Sequence, residues 1–340
     1  MMFLLYTPRW PGETQANKAR HGDAYYIAAS PPFRSRACWL ALVAKTEISM
    51  SDEQKCDSRN IPLPIQREVR QRCGFGCVMC GMPLYEYEHM EEWAQVQRHV
   101  ADEITLLCDQ HHREKTGGLL PKQVVREANS NPYNLREGVS KPYDLYFSGR
   151  EACIEIGGNS FTCEDQGYGT AMAPISVDGT PLIGLILADG HFLLNVVIFD
   201  EFNTPVLHIK NNQLFYSVEP WDIQLVGTTL TVREAHRKIL IEFEFQPPNK
   251  VVINRGRFLR NGVEILVRPT NILVTNNATV LSGCNAHNCY GGLIIGHHEK
   301  PIGGFMSLNG ISRYLGDRKE ALNFEKECKE KDQVLSEASN

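Results

Sequence analysis

From about residue 145 onward the chain is written in short runs of Val, Ile, Leu and Phe, and this limits its fold more than any other feature. The runs include "PLIGLILA", "HFLLNVVIF", "PVLHI", "QLFYSV", "ILIEFEF", "KVVIN" and "VEILVR". Between them stand Asp178-Gly179, Asp189-Gly190, Asn211-Asn212, Pro247-Pro248 and Asn261-Gly262. Gly, Asn and Asp tolerate the left-handed backbone of tight turns, and Pro presets φ while removing a ladder donor. Short apolar strands with turn chemistry between them predict an all-β domain over residues 145–312. Sandwich, barrel and β-solenoid all satisfy the pattern, and loosely recurring Asn-x-x-Leu/Val steps near 271–281 lean towards a solenoid end.

The stretch before it has a different texture. In "NIPLPIQREVRQRCGFGC", Pro62 and Pro64 suit a helix start, Ile65 and Val69 share a face, and Gly74 and Gly76 end the helix in a turn carrying Cys77. "MPLYEYEHM" reads as a strand with Leu84, Tyr85 and Tyr87 as its body, and "EITLLC" as a second. "DQHHREKTG" is expected to be a helix capped by Asp109 and stopped at Gly117-Gly118. A further short helix in "LPKQVVREANSNPYN" breaks at Asn131-Pro132. Residues 313–340 form a charged stretch, read as a helical or disordered tail with a solvated face. Residues 1–49 lack periodicity and are expected to be a disordered or misassigned extension, with Met50 as the sharper candidate for the true start.

The 35 Lys and Arg against 40 Asp and Glu leave a formal charge of -5, so any contact with nucleic acid must rest on a local site rather than a global basic excess. No apolar run approaches the roughly 18 residues that a spanning helix needs. Eleven cysteines make an odd number, and Cys73, Cys77, Cys80 and Cys108 crowd one region beside histidines. That grouping points to metal ligation in a reducing cytoplasm rather than to a disulfide framework. Cys77-x2-Cys80 and Cys108-x2-His111 supply two knuckles, enough for four tetrahedral ligands on one structural Zn2+. Cys73 reads as a small buried residue of the preceding helix. Cys284, His287 and Cys289 lack a second knuckle and read as a turn. Asn277 fits a glycosylation acceptor that a cytoplasmic chain would not use.

Between the knuckles lies Glu88-His89, and directly after the last ligand lies His112. "CVMCG", "YEYEHM" and "ITLLCDQHHREKTGGL" together resemble the HNH nuclease family over about residues 61–135. The resemblance implies an α+β chain: an N-terminal ββα-metal HNH domain with zinc knuckles within residues 50–144, then the all-β domain. It implies a metal-dependent endonuclease acting on nucleic acid, with DNA the expected partner. A neutral imidazole can take a proton from water near pH 7, which makes His89 the expected general base. Glu88 and His112 would hold a catalytic Mg2+ or Mn2+, and Lys115 would face the phosphate.

The sequence departs from the family at Glu103, which stands where Asn is common. Glu103 is carried over as a candidate ligand of the catalytic ion, with Asp102 as its rival. His99 is a loop histidine or an accessory to the same centre, and His111 replaces a frequent Cys without difficulty for zinc. HNH units fused to a second module occur in restriction and phage defence, so an antiviral effector is the expected setting. The β-domain would then recognise nucleic acid, an activating ligand or a second copy of the chain. The alternative is a non-catalytic, zinc-stabilised binding or regulatory protein acting through its β-domain.

Overall fold

The computed structural model describes residues 60–167, 169–296 and 303–313. The readings of residues 1–49 and of the tail beyond 313 lie outside the described residues.

Helix α1 (Leu63–Cys73) opens behind Pro62, with Pro64 in its first turn, where a missing N–H costs nothing. It closes on Gly74, whose φ of 69° places it in the left-handed region that lets the chain reverse. Strands β1 (Glu86–His89) and β2 (Ile104–Leu107) pair antiparallel, with Glu88 opposite Thr105 and His89 opposite Ile104. Their connection holds α2 (Trp93–Val96) and a 3-10 turn at Ala101–Glu103. Then come α3 (Asp109–Thr116), α4 (Lys122–Ser130) and α5 (Tyr133–Glu137). Val69, Cys73, Val78, Ile104, Leu106, Leu107 and Val125 form a small apolar core among these elements.

Everything after residue 138 is strand and turn among the described residues. One sheet contains β3 (Tyr143–Asp144), β6 (Thr170–Val177), β7 (Thr180–Ala188), β8 (His191–Phe199), β9 (Pro205–Lys210), β10 (Gln213–Tyr216), β19 (Gly291–Ile295) and β20 (Gly304–Leu308). Its order is β20-β19-β6-β7-β8-β9-β10-β3. The other sheet follows a meander from β11 (Asp222–Val226) through β12 (Thr229–Ala235), β13 (Lys238–Gln246), β14 (Lys250–Arg260), β15 (Val263–Arg268) and β16 (Asn271–Val274) to β17 (Thr279–Leu281). To it are added β4 (Glu151–Ile156), parallel to β14, and β5 (Asn159–Glu164), which pairs with β4 and with β18 (Asn285–His287). Inward residues of both sheets merge in a single apolar core. Phe147, for example, lies 4.9 Å from Phe192 of β8 and 6.2 Å from Phe245 of β13, ring centre to ring centre.

Two expectations are corrected here. The α+β chain with an N-terminal ββα-metal HNH domain is overturned: strand takes 48% and helix 16%, so the protein is predominantly β, organised around two large sheets. The physical reason is visible in the core. Most of the buried apolar side chains belong to strands, and the helices are short pieces of four to eleven residues. The lean towards a solenoid near 271–281 also fails. That segment is the antiparallel hairpin β16–β17, with Leu273 opposite Val280, whereas solenoid rungs stack in parallel.

The helical segment is tied to the β body by a buried ion pair. Arg70 of α1 donates Nε to Asp222 Oδ1 and Nη2 to Asp222 Oδ2, each at 2.8 Å, and both side chains are at most 5% exposed. Burial opposes the charge on Arg70, but the Asp222 carboxylate and hydrogen bonds outweigh it and raise the guanidinium pKa. Arg67 and Arg233 approach the same carboxylate at 3.4 and 3.8 Å. Beside it Gln71 Nε2 donates to the Trp221 carbonyl at 2.6 Å, and the Arg67 guanidinium lies 4.6 Å over the Trp221 ring. Tyr216 of β10 donates its hydroxyl to the Phe75 carbonyl at 2.6 Å, and the Phe75 side chain sits in the core of the β body.

Candidate metal centre and the adjoining cleft

Cys77 and Cys80 stand on the turn after α1. Cys108 immediately precedes α3, and His111 is in its first turn. The ligand atoms of these four residues all lie within 4.8 Å of one another. Cys80 Sγ is 3.8 Å from Cys108 Sγ, and His111 Nδ1 is 3.4 Å from Cys77 Sγ and 3.2 Å from Cys108 Sγ. A tetrahedral Zn2+ with its usual bond lengths separates two sulfurs by about 3.8 Å and a sulfur from a nitrogen by about 3.5 Å. The four residues can therefore hold a metal ion such as zinc. The crowded thiols share a hydrogen bond that lowers the Cys80 pKa, while that bond and burial raise the pKa of Cys77. Burial likewise raises Cys108.

The knuckle backbone is held from outside by α5. Gly81, at φ 75°, leaves no room for a side chain: a Cβ there would meet Asn134 Oδ1 at 2.3 Å and Tyr133 Cδ1 at 2.5 Å. Asn134 Nδ2 donates to the Gly74 carbonyl at 2.8 Å.

Successive residues of α3 are rotated by roughly 100°, so His111 turns to the knuckles while His112 turns to β1. Glu86 and Glu88 share one face of that strand. Their carboxylates receive His112, with Nε2 at 3.0 Å from Glu88 Oε2 and Nδ1 at 3.4 Å from Glu86 Oε2. Lys115, three residues beyond His112 on the same helix face, pairs with Glu88 Oε1 and donates to the His89 carbonyl at 2.9 Å. The structure thus gathers Glu88, His112 and Lys115 into one network.

His89 projects differently. Its Nε2 lies 3.2 Å from His99 Nδ1, and its ring centre is 5.0 Å from that of Trp93, which stacks on His99 at 4.6 Å. Burial, and then the neighbouring His99, lower the His89 pKa from its ordinary value. Glu103 is taken up by Arg98, at 2.6 and 3.2 Å, and does not join the Glu88–His112 pair. The exposed Asp102 carboxylate lies 3.8 Å from Arg72. A cleft of about 620 Å³ is lined by Tyr87, Glu88, His89, Glu91, Trp93, Lys115 and Lys122, among others, so His89 and Glu88 reach one space from different sides.

Cys73, the last residue of α1, is buried in the small core. Cys284 and Cys289 donate to the local Ser282 and His287 carbonyls, while His287 Nδ1 meets Thr162 Oγ1 at 3.0 Å. Among the described residues they form no metal-ligand set. Sequence reasoning did not single out Trp93, Arg98 or Arg70. The first two lie in the connection between strands, where no periodicity marks them, and the partner of Arg70 is 152 residues away.

No family model, curated protein or solved structure matches the chain. Among the described residues no helix is long and apolar enough to cross a membrane.

Proposed function

We propose that the protein is a metal-dependent phosphodiester hydrolase of the HNH endonuclease type, acting on nucleic acid with DNA the favoured substrate. The observation that carries the reading is the Glu88 carboxylate, held between His112 Nε2 and Lys115 Nζ at the cleft that His89 also lines. Glu88 Oε2 and His112 Nε2 stand 3.0 Å apart. Neighbouring ligands of an octahedral ion at 2.0–2.1 Å are separated by about 3.0 Å, so these two atoms fit one edge of such a site, with water filling the rest. A divalent ion such as Mg2+ or Mn2+ held there would polarise the phosphoryl oxygen and neutralise the departing 3'-oxygen.

His89 takes the proton of the attacking water as the water oxygen bonds to phosphorus and the P–O3' bond breaks. Burial and the neighbouring His99 lower its pKa and so favour the neutral imidazole that a general base requires. Lys115 adds a fixed positive charge beside the phosphate. The four knuckle residues play no chemical part. Their ion would fix the start of α3, and so the placement of His112 and Lys115. A role in restriction or phage defence rests on the sequence resemblance alone.

A second reading, a zinc-stabilised binding protein without catalysis, is favoured by the protein donors already on both Glu88 oxygens and by the turn of His89 towards His99. Plasmid, linear and single-stranded DNA and RNA, each incubated with Mg2+ or Mn2+, separate the two. Cleavage that vanishes in His89→Ala with zinc content intact supports the hydrolase. Absence of cleavage of every substrate with either ion favours the binding protein.

A further inference from the structure

We infer that Arg70 and Tyr87 are positioning residues through which the β body orients the strand bearing Glu88 and His89; this rests on the hydrolase reading above. Strand β1 has four residues and, among the described residues, pairs with β2 alone. A two-stranded ribbon of that length is marginal without outside anchors. On its Glu88 face the anchor is α3, through His112 and Lys115. On the opposite face, which Tyr87 shares with His89, the anchor is Arg70, whose Nη1 donates to the Tyr87 hydroxyl at 2.6 Å.

The direction of that bond is set from the far side. A guanidinium is a rigid planar fork, and Arg70 spends Nε and Nη2 on the two oxygens of Asp222. With those two bonds made, Nη1 can point only one way. Asp222 is fixed in turn: it opens β11, is fully buried and pairs across the ladder with Arg233. The Tyr85 ring meets the Tyr87 ring edge-on at 6.0 Å and packs beside the phenol. A continuous path of charge-assisted contacts, buried at Asp222 and part-buried at Tyr87, therefore runs from the edge of the ten-stranded sheet to the residue between Glu86 and Glu88.

Comparison of two variants of the full chain tests this. Tyr87→Phe removes only the hydroxyl, whereas Gln71→Ala removes the neighbouring bond between α1 and Trp221, which does not lead to β1. Positioning predicts that Tyr87→Phe lowers kcat by about 10- to 100-fold with KM, zinc content and melting temperature near those of the wild type. Gln71→Ala should leave kcat unchanged even where it lowers the melting temperature. Equal kcat in Tyr87→Phe and wild type overturns the inference, as does an equal loss in both variants. If the wild type cleaves nothing, the hydrolase reading falls separately. The positioning claim is then decided by NMR of the labelled His89 ring: resonances that move in Tyr87→Phe but not in Gln71→Ala uphold it, and unmoved resonances refute it.

Discussion

Replacing Asp222 by Leu should be among the most damaging single changes this protein can suffer. The carboxylate is fully buried and is the counterion of Arg70, itself 5% exposed, while Arg67 and Arg233 crowd the same two oxygens. Leu keeps the branched skeleton of Asp and is the bulkier residue, so no cavity is made. What remains is a buried guanidinium with two of its donors unpaired and two like charges nearby. Breaking a buried pair from one side costs about 3–5 kcal/mol. For a body of this size that corresponds to a fall of about 6–20 °C in melting temperature. Removing both partners should be much milder, because the larger part of the cost is the stranded charge rather than the lost attraction. Arg70→Met/Asp222→Leu should therefore recover most of the loss, since Arg67 and Arg233 are 26% and 19% exposed and can reach water. Thermal denaturation followed by circular dichroism reads all three proteins. A melting temperature for Asp222→Leu within about 2 °C of wild type, or a double variant no better than the single one, would refute the reasoning.

Elemental analysis of the purified protein should find one zinc per chain, and Cys77→Ser should lose it together with the ordered start of α3; unchanged zinc content would show that the four ligands do not act together. Gly81→Ala should cost about 1–3 kcal/mol and weaken metal retention, because the residue has φ 75° and its Cβ would strike Asn134 and Tyr133; zinc release by a competing chelator at the wild-type rate would count against this. Glu242 gives a pH signature. Burial raises its pKa, but the Arg255 fork at 2.7 and 2.8 Å and the Thr231 hydroxyl outweigh burial and hold it below the ordinary value. Its contribution is therefore present above the unfolded pKa and fades as pH falls through the folded one. Glu242→Gln should cost up to about 1 kcal/mol at pH 7 and progressively less in acid, as urea denaturation would show; a cost independent of pH would contradict the sign.

The sequence by itself determined the local features. The knuckle spacing of Cys77, Cys80, Cys108 and His111 names its own geometry, because a tetrahedral ion tolerates few arrangements and each pair sits on one turn. The strands after residue 145 announced themselves by apolar runs and turn residues, since the pleat and the turn are local properties of the chain. Glu88 beside His89 was legible as a pair, but their divergence was not: alternation along β1 sends them to opposite faces, and only the partners on those faces decide what each one meets. The capture of Glu103 by Arg98 was hidden in a loop without periodicity. Tertiary structure alone decided that those strands assemble as two sheets around one core, and that a helix near the start of the described residues is bound to Asp222. Pairing across 152 residues leaves no trace in sequence spacing, because a buried carboxylate is matched to a guanidinium by position in space.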